Sequence, residues 1–323
     1  MRRERPQVTQ DRDADLDVVV DPTDVTLGLP VGGGTRYSGP EAGKLLGYVG
    51  TVYFLLLCLA AIAAPYVVPM DPNLQDLQNQ YLPPVLLGGE WSHPLGTDNL
   101  GRDLLSRLVY GSRVSLTISI GAVLVSAVVG TLLGLVAGYG AGLGGRVGAL
   151  VDRSIMLLTE MSLAIPAVLL AIAVAAVFGT SQLILILILS MFGWVVFARV
   201  VRGVLLSLHG RGFVEAARVL GAGHFRVVVR HMFPHVIGQI VVIAPLQLGF
   251  MILVETALGY LGLGVRPPTP TWGNMIAEGR VALNASPWIA VLAGLAITFT
   301  VLSVNFMGEL LRSRLGASSR SRS

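Results

Sequence analysis

F-V-E-A-A-R-V-L-G-A-G-H-F-R-V-V-V-R-H-M-F-P, residues Phe213–Pro234, is a polar island that sets two apolar runs apart. Leu183–Leu206 precedes it and Val236–Gly259 follows it, both nearly free of charge. A helix needs about 20 such residues to cross a bilayer core of roughly 30 Å. Within the first run, Leu183–Leu189 reads L-I-L-I-L-I-L, a strand-like composition, but its surroundings stay apolar far past strand length, so a helix is expected. In the island, Val214, Ala217, Val219 and Leu220 are expected to cover one side of a short helix, with Glu215 and Arg218 three residues apart on another. Such a charge pair contributes about 0.2–0.5 kcal/mol, too little to form the segment by itself. Ala216 and Ala217 keep the surface small, and Gly221 tolerates the left-handed dihedrals that turn a chain. A second short helix, His224–His231, leads to Pro234 and the next apolar run.

Outward from the island the same pattern repeats. The chain has 323 residues, 53% hydrophobic and 13% charged, where a soluble domain carries about 25% charged residues. Six spans are expected, at about Leu45–Val67, Val114–Tyr139, Ser154–Phe178, Leu183–Leu206, Val236–Gly259 and Trp288–Leu311. The fold class is therefore an all-α polytopic membrane protein. With both termini in the cytoplasm, 18 of the 23 lysines and arginines lie inside, which satisfies the positive-inside rule. Arg102, Arg107, Arg113, Arg266 and Arg280 remain outside. The net charge of +4 follows from this bias and gives no argument for nucleic acid. The single cysteine, Cys58, lies in the first span and is expected to be a small packing residue.

Residues 1–43 are rich in Asp, Arg, Pro and Gly and offer little apolar surface to bury, so a disordered cytoplasmic tail is expected. The first apolar run starts too late and is too long for a cleaved signal segment. Residues 44–113 hold the first span and a long outer segment. There Leu104, Leu105, Leu108 and Val109 recur at helical spacing opposite Arg102, Asp103, Ser106 and Arg107. That pattern describes either an interfacial amphipathic helix leading into the second span or a lid packed on other loops. Residues 114–311 form a five-helix core with a cytoplasmic loop at 207–235, and residues 312–323 a cytoplasmic tail. Gly130, Gly134, Gly138 and Gly142 share a face and suit close helix packing, with pathway lining the sharper alternative. Pro166 and Pro245 are expected to kink the third and fifth spans. Asn274 is expected to cap a short helix over Met275–Leu283.

No phosphate-binding loop is available. The one lysine, Lys44, precedes Leu45, and Ser38 stands where the first glycine is needed. His209, His224, His231 and His235 crowd the 207–235 region without zinc-site spacing, so structural or solvated roles are expected. Neither a nucleophile–base pair nor a metal set is found, so the chain reads as non-catalytic. Arg226 and Arg230 seek lipid phosphates or an acidic partner, unless the positive-inside bias alone explains them. Glu160 and Glu255 lie near or within apolar spans, where acids are costly and functional by default. With Trp272 and Asn274 they are the candidates for the pathway or outer gate.

The island resembles the E-A-A loop of ABC-importer permeases. Further similarity lies in H-P-L-G-T-D-N-L-G-R-D-L-L-S-R-L-V-Y-G-S-R-V-S-L (93–116), V-D-R-S-I-M (151–156), Tyr260–Gly273 and P-W-I-A (287–290). Together, over about residues 44–315, these resemble the second, C-type permease of the pair in dipeptide, oligopeptide and nickel ABC importers. The loop departs from the general pattern at His231-Met232-Phe233-Pro234 and at His235. The resemblance implies a type I importer permease fold in the cytoplasmic (inner) membrane and a heterodimer with a homologous permease. It also implies two ATP-binding subunits, which hold ATP and Mg, an extracytoplasmic substrate-binding protein and surrounding lipid. It assigns ATPase coupling to Glu215, Ala216, Ala217, Arg218, Gly221, Arg226 and Pro234. Short peptides are the expected cargo, with nickel, metal-chelate or haem-like cargo as the same-family alternative. An ion-coupled secondary transporter fits poorly, since no internal repeat is found.

Overall fold

The computed structural model describes residues 40–68 and 70–320, so nearly all of the expected 1–43 tail lies outside the described residues. The helices are α1 (Pro40–Val67), α2 (Leu104–Leu143), α3 (Gly145–Ala164), α4 (Ala167–Phe178) and α5 (Gln182–His209). They continue with α6 (Gly212–Val219), α7 (His224–Arg226), α8 (Phe233–Tyr260), α9 (Trp272–Val281) and α10 (Trp288–Arg320). A π turn, Val227–Met232, joins α7 to α8 without a break, and His224–Tyr260 runs as one helix of 37 residues. No strand occurs among the described residues.

Five of these helices are long and apolar enough to cross a membrane, and a sixth span exists only if α3 and α4 are taken together. That pair is bent by 84°. The cause is local: Pro166 lacks an N–H and its ring clashes with the preceding turn. The expected kink is thus a full break. At Pro245 there is no such break: α8 continues past it, with the proline inside the helix.

Two further expectations are corrected. Residues 104–113 are no separate interfacial helix: they are the first turns of α2, which runs 40 residues unbroken. Their polar side is buried, with Arg102 at 4% exposure and Arg107 at 1%, so the packed-lid alternative holds. The second short helix, expected over His224–His231, is likewise the start of the α8 helix. Pro234 does not end it. The Phe233 N–H bonds to the Val228 carbonyl in the wider π turn, and the helix takes up the proline one residue later. At the other terminus α10 continues through most of the expected tail, to Arg320.

The glycine face of α2 packs on α5. A Cβ at Gly130 would lie 2.3 Å from the Trp194 carbonyl oxygen, and one at Gly134 2.7 Å from that of Ala198. At Gly138 it would meet Leu205 Cβ at 2.9 Å, and at Gly142 the ring of His209. Backbone therefore touches backbone along the seam, as small residues permit in a membrane. A bidentate pair from Arg202 to Asp152, with Nη2 at 2.7 Å, pins the start of α3 to α5. In the same way Gly47 and Gly50 seat α1 against α10.

Candidate functional site

The α6 end of the bundle carries the E-A-A residues. A compact apolar cluster holds α6 in place: Val201, Leu205 and Leu208 from α5, Val214 and Ala217 from α6, and Val227, Met232 and Val236 beyond it. Val214 and Ala217 are the inward side of the helix, as expected. Val219 and Leu220 are not, since each is 86% exposed. The reason for Val219 is the helical period: five residues past Val214, at about 100° each, it lies on the opposite side of α6. Leu220 is the C-cap, where the helix ends. Gly221 then adopts φ +82°, its N–H bonds to the Arg218 carbonyl, and the Ala222 N–H bonds to that of Ala217, a left-handed cap that turns the chain away. Phe225, just past the Gly221 turn, is 81% exposed, and Glu215, Ala216 and Arg226 are exposed too, so the segment around the turn presents an apolar tip flanked in sequence by these residues.

Arg218 makes no ion pair with Glu215. Its guanidinium sits 5.9 Å from the centre of the Tyr139 ring at the end of α2, an arrangement in which ring and cation attract. The Tyr139 hydroxyl pairs with Nδ1 of His224 at 2.8 Å, and its ring lies 5.3 Å from that of His209. His235 packs on Phe213 with ring centres 5.6 Å apart. Three of the four crowded histidines thus join elements by their rings. Tyr139 was not singled out by sequence reasoning, because a lone tyrosine at a helix end carries no distinguishing pattern. Arg226 and Arg230 are exposed, and neither has an acidic partner among the described residues. Pro234 is exposed, just after the π turn.

The opposite, α9 end is closed by an ionic network. Asp98, fully buried, takes Arg102 Nε at 2.6 Å and Arg107 Nε at 3.3 Å. Glu278 of α9 takes Nη2 of Arg102 at 3.2 Å and Nη2 of Arg107 at 2.8 Å. Asp103 caps α2 through the Ser106 N–H and meets His93 at 3.1 Å. Sequence reasoning missed this network, though one signal pointed to it: Arg102 and Arg107 lie on the expected outer side, against the positive-inside bias.

Of the four gate candidates, Trp272 is a wedge. It is 1% exposed, its Nε1 donates to the Leu108 carbonyl at 3.2 Å, and its N–H reaches Ser115 Oγ at 3.4 Å. Asn274 is not the cap of α9. Thr271 is, accepting from the Asn274 N–H, while the Asn274 side chain donates to the Val265 carbonyl at 2.7 Å and ties down the preceding loop. Glu255 is 0% exposed on α8, and neither carboxylate oxygen meets a hydrogen-bond partner among the described residues. Glu160 lies exposed on α3, far in sequence and element from the other three.

A helical bundle with a broken third span, a short helix held at one end and an ion-paired cap at the other is the architecture of a transport permease. Residues 130–317 match the family of the binding-protein-dependent transport system inner membrane component, and residues 46–84 match the N-terminal transmembrane domain of oligopeptide transport permease C. The chain belongs to this family: it is a multi-pass, non-catalytic inner-membrane component of an ABC importer. It is 39% identical to a di/tripeptide transport system permease protein of Pseudomonas aeruginosa (strain UCBPP-PA14), over 82% of this chain and 86% of that one. It is 38% identical to a glutathione transport system permease protein of Escherichia coli O6:K15:H31, over 82% and 84%. Among solved structures, a chain of the inward-facing methionine ABC transporter MetNI superposes with a TM-score of 0.54 at 19% identity, covering 65% of this chain and 97% of that one. That likeness concerns the fold.

Proposed function

We propose that this chain is one permease of a heterodimeric, ATP-driven importer of short peptides, moved by ATPase subunits that grip α6. The apolar tip carries the reading. Val219, Leu220 and Phe225 are each more than 80% exposed, at the end of α6 and the start of the next helix, while the inward side of α6 is anchored in its own cluster. An apolar patch of this kind marks a protein contact. Glu215, Ala216, Gly221 and Arg226 surround the tip and would set its fit, with Ala217 and Arg218 anchoring the helix and Pro234 following. ATP and Mg²⁺ belong to the partner subunits, and a binding protein delivers cargo on the α9 side. The α6 end and both termini face the cytoplasm, in keeping with the distribution of arginine. Peptide cargo is supported by the names of the two relatives. A nickel or other chelate cargo would show instead as uptake competed by the chelate and untouched by peptides.

The test is uptake by the assembled complex in vesicles. Glu215→Arg and Gly221→Pro should abolish accumulation while the chain stays in the membrane, and ATP hydrolysis should no longer respond to the loaded binding protein. Wild-type uptake by either variant would sink the docking role.

A further inference from the structure

The break between α3 and α4 falls at the middle of the third expected span, where unpaired backbone is least tolerated. No backbone hydrogen bond joins the two helices across it. Among the described residues, the carbonyls of Ser162, Leu163 and Ala164 and the N–H groups of Ile165, Ala167 and Val168 have no backbone partner. Irregular backbone persists at membrane depth only inside protein or along a cavity, and a cavity is there. A hollow of about 490 Å³ opens beside the break, between α5 and α8. Its walls include Ile165, Pro166, Phe192 and Phe250, and none of its lining side chains is ionisable. Gln247 lines it as well, 9% exposed, its amide without a hydrogen-bond partner among the described residues. A second hollow of about 250 Å³ shares Ala167, Leu189, Phe192 and Val254 with it.

We propose that the break between α3 and α4, together with Gln247, is this chain's half of a mid-membrane site that reads the main chain of an extended peptide. The inference rests on the permease reading above. Both donors and acceptors are offered, as an amide backbone requires, and the primary amide of Gln247 supplies one of each. The absence of charge among the lining residues disfavours a metal ion or an anion, which a low-dielectric site would have to neutralise. Because most of the polar groups are backbone, the reading is independent of the cargo's side chains, which the apolar walls and the second hollow accept. Discontinuous helices lining a midplane site are a recurrent way to present such groups.

The test uses the complete complex with its binding protein, in vesicles. Uptake of trialanine is compared with that of its analogue methylated on the central amide nitrogen, with binding-protein occupancy matched by separate affinity measurement. The wild-type complex should carry the methylated analogue about tenfold more slowly, the worth of one buried hydrogen bond. Gln247→Leu should slow trialanine by a similar factor and narrow the gap between the two cargoes to less than about threefold. Co-purification of the subunits should be unchanged. Equal wild-type rates for the two cargoes would overturn the proposal. So would loss of the partner permease from the Gln247→Leu complex, which would make the break a packing seam. A wild-type complex that accumulates a nickel chelate and neither tripeptide would bring down the cargo reading, and this proposal with it.

Discussion

Asp98→Asn is a perturbation whose size follows from the ionic network at the α9 end. Two acids and two arginines balance there, with the side chains of Arg102 and Arg107 only 5% and 1% exposed and Asp98 0%. Asparagine keeps the shape and the Oδ1 that accepts the Leu100 and Arg102 N–H groups at 2.8 and 3.0 Å. It removes one negative charge and leaves the network with an excess of one positive. At an effective dielectric constant near 20, a unit pair about 3 Å apart attracts by roughly 5 kcal/mol. Breaking a buried pair costs about 3–5 kcal/mol once the stranded partner is counted. Glu278 is 23% exposed, so water screens one corner and the lower end, about 3 kcal/mol, applies. The cost falls on what the network joins, the first turns of α2 and α9. Met275, 1% exposed on α9, is the reporter position: in a Cys58→Ala background, Met275→Cys reacts with a soluble maleimide only when α9 opens. Adding Asp98→Asn should raise that rate about 100-fold, since each 1.4 kcal/mol is a factor of ten. Arg107→Gln in the same chain restores neutrality and should recover at least about tenfold of the protection. A rise of less than threefold, or no recovery in the double variant, would refute the electrostatic account.

Gly130→Val forces side-chain atoms toward a carbonyl that a bare Cβ would already approach to 2.3 Å; it should cost about 1–3 kcal/mol, read as a lower melting temperature in detergent. Gly203→Val, where nothing lies within 4 Å in this chain, is the matched control and should leave that temperature unchanged. Gly221→Ala meets no atom but must hold φ +82°, at about 1 kcal/mol; amide exchange at Ala222 should quicken about fivefold, and less for Gly221→Asn. Trp272→Phe keeps the wedge and loses the bond to the Leu108 carbonyl, about 1 kcal/mol, seen as a several-fold rise in Met275→Cys labelling.

The sequence made the spans legible because their apolar runs exceed any competing element in length. Position 166 was legible as well, since proline acts locally. Less was legible where the deciding term is tertiary. Residues 102–109 have the periodicity of an interfacial helix, yet Asp98 and Glu278 draw Arg102 and Arg107 inward, and Glu278 lies 171 residues from Arg107. Asn274 has the composition of a cap, but Thr271 takes that place because the chain enters α9 extended, at φ −134° and ψ 157°. Val219 and Leu220 are apolar like Val214 and Ala217, but Val219 lies about 140° round the helix from Val214, and Leu220 is the cap, so composition alone misplaces both. The E-A-A motif marks the proposed docking end but does not disclose which of its residues point outward.

These features give α2 a particular mechanical character. At 1.5 Å per residue its 40 residues span about 60 Å, with neither a proline nor a break. Arg107 and Ser115 clamp one end to α9, and Tyr139 meets the α6 region at the other. Between them the glycine seam fixes it to α5 with backbone in contact, where packed atoms have nowhere to yield. A displacement of α6 therefore has no soft element to absorb it before it reaches α9. The α3–α4 pair is the opposite case, with no hydrogen bond across its bend. On the proposed coupling reading, α2 and α5 carry the stroke as one body, and the span that can change shape is the one whose open backbone faces the cavity.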